Sequence, residues 1–163
     1  RCTAYWRRNG ENGMCKQIRP AVTEDISRIA EILIFTKRSA YRPIFQNDHV
    51  SFGEMQVLPL AETYLENPEK LNDYYVYEDD FVKGLIHIEQ TEICELYVDP
   101  FFEAQGIGGE LMAFALSQGA KHLWVLEKNE SAIRFYKSKG FLFTSEKKLQ
   151  EGTDEYIVGM MHI

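Results

Sequence analysis

Residues 103–112 read EAQGIGGELM, with Gly106, Gly108 and Gly109 falling within four residues just before an apolar helical run. Glycines placed between a strand and a helix leave backbone N–H groups free to point at an anion, and the positive end of the helix favours negative charge there. The stretch is suited to a pyrophosphate, or is only a helix start with spare glycines; alone it does not decide. A dinucleotide fingerprint would need G-x-G-x-x-G after the first parallel strand, whereas here the spacing is G-x-G-G and the preceding strands read as a meander.

Two flanking stretches carry further reactive types. TEICELYV, residues 91–98, brings two carboxylates onto one strand. Strict alternation puts Glu92, Cys94, Leu96 and Val98 on one face and Ile93, Glu95 and Tyr97 on the other. On the preceding strand His87 alternates with Leu85 and Glu89, read as a hydrogen-bonded structural histidine with a proton relay as the alternative. Cys94 has no His and Asn arrangement around it that would make a nucleophile, so it is read as a small buried residue. In NESAIRFYKSKGF, residues 129–141, Asn129 is a good N-cap, and Ala132 and Tyr136 lie four apart on one helix face. By itself Tyr136 is also part of an aromatic stripe with Phe135.

The elements that must hold these residues follow from period and punctuation. CKQIRPAV reads as a strand. TEDISRIAEILIFTKRSAYR reads as a helix, with Thr23 as N-cap and Ile26, Ile29, Ala30 and Leu33 on its inner stripe. Residues 40–70, with Pro43, Pro59 and Pro68, predict one or two short, irregular helices. Three strands follow in YYVYED, FVKGLIHIEQ and TEICELYVDP, then a helix over about 108–119, a strand in HLWVLEKN, a short helix closed by Gly140, and a terminal hairpin around EGT. The order is β-α-α-β-β-β-α-β-α-β-β. Residues 92–128 form a parallel crossover inside an otherwise antiparallel sheet, which predicts an α+β (mixed α/β) fold of about seven strands and about four helices.

A chain of 163 residues is the size of one domain. Its 25 acidic against 18 basic residues give a net charge of −7, which argues against nucleic acid and favours a cationic small substrate. Without Arg1, Arg7, Arg8 and Glu11 the balance is 15 basic to 24 acidic. Residues 1–13 thus have the opposite sign, and are read as an extension ahead of Met14. No apolar run approaches the roughly 18 residues needed to span a membrane. Cys2, Cys15 and Cys94 are odd in number with no C-x-x-C pair, so neither a zinc site nor a redox pair is expected, and the reducing cytoplasm is the expected compartment.

LYVDPFFEAQGIGGELM, residues 96–112, followed by LWVLEKNESAIRFYKSKGF, residues 123–141, strongly resembles the GNAT superfamily of acyl-CoA-dependent N-acetyltransferases. IRPAVTEDI looks like the opening strand and helix of that family, so the resemblance runs from about Gln17 to the C-terminus; residues 40–70 match only in outline. It implies acetyl-CoA as cosubstrate, no metal, and a primary amine of a small molecule, such as a polyamine, amino sugar or amino-acid-like compound, as acceptor. A non-catalytic acyl-CoA-binding module and a peptide amine acceptor are the rival implications. Homodimers through the terminal strands are common in such folds.

Residue by residue, the resemblance implies that the main chain of Leu96, Tyr97 and Val98 pairs with the pantetheine arm, with the Val98 N–H polarising the thioester carbonyl. The family's pyrophosphate signature, Q/R-x-x-G-x-G/A, maps onto 103–108 and the cofactor turn onto Ala104, Gln105, Gly106, Ile107, Gly108 and Gly109. Its first position is here Glu103, a departure from Gln or Arg. Asn129 and Ala132 would line the other side of the cofactor, and Tyr136 would protonate the departing thiolate. Acetyl transfer needs a neutral amine and hence a general base; counting back from the turn favours Glu92 over Glu95. Tyr41, Arg42, Phe45 and Tyr64 are the candidate substrate wall.

Overall fold

The computed structural model describes residues 16–163. The expected extension, Met14, Cys2 and Cys15 lie outside them. The first strand, β1 (Gln17–Pro20), leads into a 3-10 turn over Thr23–Asp25, and helix α1 (Ile26–Phe45) begins only after it. Thr23 is therefore not the N-cap. Asp25 holds that position and carries the local bonds, because a buried carboxylate with a guanidinium partner outweighs a threonine hydroxyl. It accepts the Val22 N–H at 2.9 Å and both terminal nitrogens of Arg19 at 2.8 and 2.9 Å. The predicted stripe is buried at Ile26, Ile29, Ala30 and Leu33.

The proline-bearing segment is helical but broken. After α1 come one wide π-type turn (His49–Glu54), helix α2 (Val57–Glu66) and a 3-10 turn (Pro68–Leu71). Strands β2 (Tyr74–Asp79), β3 (Phe81–Glu89) and β4 (Glu92–Val98) form the meander. Helix α3 (Ile107–Ser117), strand β5 (His122–Leu126), helix α4 (Glu130–Ser138) and the hairpin β6 (Phe141–Leu149) and β7 (Tyr156–His162) complete the expected order.

One seven-stranded sheet results, in the order β1-β2-β3-β4-β5-β7-β6, antiparallel except for the β4–β5 pair. Its two faces are covered by separate cores. One is built on Ile86, Ile88, Ile93, Leu111, Met112 and Phe141 with α3 and α4; the other on Ile29, Leu33, Tyr74, Val76 and Leu85 with α1 and α2. Gly84 sits where β3 and α3 come closest: a Cβ there would stand 3.1 Å from both Ile107 Cγ2 and the Tyr97 carbonyl oxygen.

The alternation expected for β4 is broken once. His87 lies opposite Glu95 and Ile88 opposite Ile93, so Cys94 is an extra residue, a β-bulge. Ile93 consequently packs with Leu96 and Val98 on the α3 side, while Tyr97 packs with the α1 core. The predicted grouping of Ile93 with Glu95 and Tyr97 is thus wrong. Cys94 is exposed rather than buried.

Candidate active site

The site is made by a failure of pairing. β4 and β5 are joined only at Glu92 with His122 and Ile93 with Leu123, and diverge beyond. The Asp99 N–H donates to the Lys83 carbonyl at 2.9 Å, toward β3. Alternation of an antiparallel ladder then turns the main-chain groups of Leu96 and Val98 the other way, into the opening. The Val98 carbonyl is met at 3.4 Å by the Thr36 hydroxyl. The opening is a cleft of about 1280 Å³.

Leu96, Tyr97 and Val98 form one wall of this cleft, and Asn129, Ala132 and Tyr136 another; Ala104, Gly106, Ile107, Gly108 and Gly109 line the end between them, and Gln105 does not reach it. At that end Gly106 has φ 88°, a conformation that strongly favours glycine, and its carbonyl accepts the Glu110 N–H at 3.1 Å as α3 begins. Gly108 allows the ring of Phe135 to approach: a Cβ would lie 3.4 Å from its Cζ. Glu103 is exposed at the rim. On the opposite wall the Asn129 side chain caps α4 by accepting the Ala132 N–H at 3.2 Å, the expected cap. That cap fixes the start of the helix carrying Tyr136.

At the other end a polar chain runs from the cleft into the α1 core. The Glu95 carboxylate accepts from Lys37 Nζ at 2.8 Å and from the Tyr74 hydroxyl, which meets the Tyr64 hydroxyl at 3.2 Å. The Tyr41 and Tyr97 hydroxyls are 2.9 Å apart. Burial pushes the Tyr136 phenol well above the usual tyrosine range, and the charge of Tyr41 adds to this. Burial does the same at Tyr97, assisted by Tyr41, and at Tyr74, assisted by the Glu95 carboxylate. For Lys37, burial pulls the ammonium down but Glu95 outweighs it, leaving the net shift upward.

The two strand carboxylates are in different places. Glu95 lines the cleft. Glu92 stands opposite Glu89 at the start of β4, with its carboxylate 3.6 Å from His122 Nδ1, and is not among the cleft-lining residues. Of the predicted substrate wall, Tyr41 and Phe45 line the cleft. Arg42 instead pairs with Asp48 at 2.8 Å on the surface, and Tyr64 is buried behind Tyr74. His87 stacks on Tyr74, ring centroids 4.2 Å apart, in keeping with a structural histidine.

Residues 70–142, from the end of the helical segment to the first turn of β6, match the model of the acetyltransferase (GNAT) domain. Over this stretch the chain is similar to the GNAT domain. The GNAT match holds β4, the glycine turn and α4, and so most of the cleft. An uncharacterised N-acetyltransferase of Methanocaldococcus jannaschii is 40% identical over 79 residues, 45% of this chain and 34% of that protein; this chain thus matches about a third of that relative's length. Among solved structures, YjaB from Escherichia coli superposes with a TM-score of 0.74 at 21% identity, over 92% of this chain and 99% of its own. The PaiA N-acetyltransferase of Thermoplasma acidophilum, solved with coenzyme A, gives 0.63 at 19% identity, over 90% and 98%. At such identities the likeness is one of fold.

Two cations that line this cleft, Lys37 and Lys139, had no role in the sequence reading. Lys37 continues the Ile26, Ile29, Ala30, Leu33 stripe by one turn, and a lysine at a core-facing position is the signal that could have marked it. Lys139 lies over the first turn of α3, where a Cβ at Gly109 would stand 3.1 Å from its Nζ. Only the fold brings it to the glycines, so no sequence spacing pointed to it.

Proposed function

We propose that this protein is an acetyl-CoA-dependent N-acetyltransferase acting on a primary amine of a small molecule. The observation that carries the reading is the open seam between β4 and β5, which turns main-chain groups of Leu96 and Val98 into a cleft whose end is the glycine turn. An extended pantetheine arm supplies the strand partner those groups lack. The pyrophosphate lies on the backbone of 104–109, with Lys139 as its counter-charge in place of the side chain that Glu103 does not provide. Glu103, at the exposed rim, is free to turn to solvent.

The acceptor enters between α1 and the β4 end of the cleft. Its nitrogen lone pair attacks the thioester carbonyl, whose developing negative charge is met by the Val98 N–H. Collapse forms the amide and breaks the carbon–sulfur bond. Glu95 takes the ammonium proton, directly or through water, before the attack; Tyr136 then donates a proton to the thiolate and recovers the one that the amide nitrogen sheds. The geometry supports Glu95 over Glu92 in the role of base, because only Glu95 lines the cleft. Lys37 and Tyr74 fix the Glu95 carboxylate oxygens, so the acceptor ammonium must share or displace Lys37.

Those bonds to Glu95 also favour a second reading, an acyl-CoA-binding module without turnover. A thermal-shift series of CoA esters, followed by an amine panel read by thiol release, separates the two. A rise in melting temperature with acetyl-CoA and thiol release with a small amine support the transferase. Binding without release on any amine leaves the module, and no shift with any CoA species overturns both.

A further inference from the structure

Beside the cleft, the bulge in β4 gathers three residues of metal-ligating type. His87 and Glu89 are two apart on β3 and share a face, and the extra residue Cys94 brings its thiol to the same side of the sheet, near the β3–β4 turn. His87 Nε2 and Glu89 Oε1 are 3.3 Å apart, and with Cys94 Sγ all three ligand atoms lie within 4.8 Å of one another. We propose that His87, Glu89 and Cys94 form a binding site for a divalent cation of the zinc class at the margin of the cleft, which Cys94 also lines.

The distances carry this furthest. Two zinc bonds of about 2.0–2.1 Å at a tetrahedral angle hold a nitrogen and an oxygen about 3.3 Å apart. The His87–Glu89 pair already has that spacing. A thiolate at about 2.3 Å from the same ion needs about 3.5 Å to the nitrogen, so Cys94 has only to turn inward by roughly an ångström. Cys94 is exposed, and its thiol is held only by a long 4.0 Å contact to the Glu92 carbonyl. The imidazole is the rigid member, half-buried and stacked on Tyr74, while the Glu89 side chain is 64% exposed and adjusts. The fourth position faces solvent and is left for water.

The donor set is chemically matched. One thiolate, one imidazole and one carboxylate select a borderline ion over calcium or magnesium, which prefer oxygen alone. Two anions and a neutral ring leave the bound ion electrically balanced. A cysteine thiol is mostly protonated at neutral pH and binds metal only as the thiolate, so binding must release its proton.

Cobalt(II) is the probe, added to the full-length, reduced protein at neutral pH. The expected result is one equivalent bound with a thiolate-to-cobalt charge-transfer band, release of one proton, and displacement by zinc. Cys94→Ser should abolish the band, and Glu89→Gln should weaken cobalt binding about ten-fold or more. Both positions are exposed, and an unchanged far-UV circular dichroism spectrum excludes misfolding as the cause. No thiolate band in the wild type would overturn the proposal. So would a band that survives in Cys94→Ser, which would then belong to Cys2 or Cys15.

Discussion

Tyr136 and Glu95 approach the cleft from different elements, and each has a different measurable signature. Tyr136→Phe is expected to lower kcat by roughly 10²-fold with little change in KM for the acyl donor, since the phenol acts on the leaving group. Burial holds this phenol above the ordinary tyrosine value near 10, so ionisation of Tyr136 should cause no loss of wild-type rate up to that pH; a decline in kcat near pH 9 that vanishes in Tyr136→Phe would contradict its environment. Glu95→Gln is expected to lower kcat/KM by about 10²–10⁴, and Glu92→Gln by less than about two-fold. The reverse order of the two would return the base to Glu92. At this scale the sequence was informative where local chemistry is self-contained, as with the Asn129 cap and the glycine at φ 88°. It was misleading where a single inserted residue changes which way a side chain faces: counting by twos along TEICELYV cannot reveal that Cys94 is extra, since the bulge is visible only in its pairing with β3.

Between elements, close approach matters more than any one contact. Gly84→Ala is expected to destabilise the fold by about 1–3 kcal/mol in denaturant unfolding, because the added methyl meets the Tyr97 carbonyl, which is strand backbone and cannot turn aside. An unchanged midpoint would mean that α3 is free to shift outward. The order and type of the seven strands and four α-helices were legible from period and punctuation. The start of α1 was not. The Asp25 carboxylate competes for the cap by binding Arg19, and that arginine also reaches Glu78 on β2, at 2.8 Å. A long-range ion pair of this kind leaves no local trace in TEDIS.

Taken as a whole, the molecule has two apolar cores divided by one sheet, with a tyrosine-rich polar seam at the cleft. Tyr74, Tyr97 and Tyr136 all have phenols held up first by burial, and the Lys37 ammonium is held up by Glu95. A raised folded value contributes stability that is fully present below the unfolded value near 10 and is lost as pH rises through the folded one. Melting temperature should therefore be level across pH 7–9 and fall steeply above about pH 10, more steeply than in Tyr74→Phe; a flat profile to pH 11 would contradict these burials. The net charge of −7 pointed to a cationic substrate, yet it hid the cation at the glycine turn, because a sum over the chain contains no position. The seam has one more consequence. With only two residue pairs joining β4 to β5, the sheet is two rafts, β1–β4 and β5–β7–β6, tied by a short hem. A ligand lying along Leu96–Val98 would sew that hem further, so the two rafts should exchange their amide hydrogens at separate rates when empty and in step when loaded.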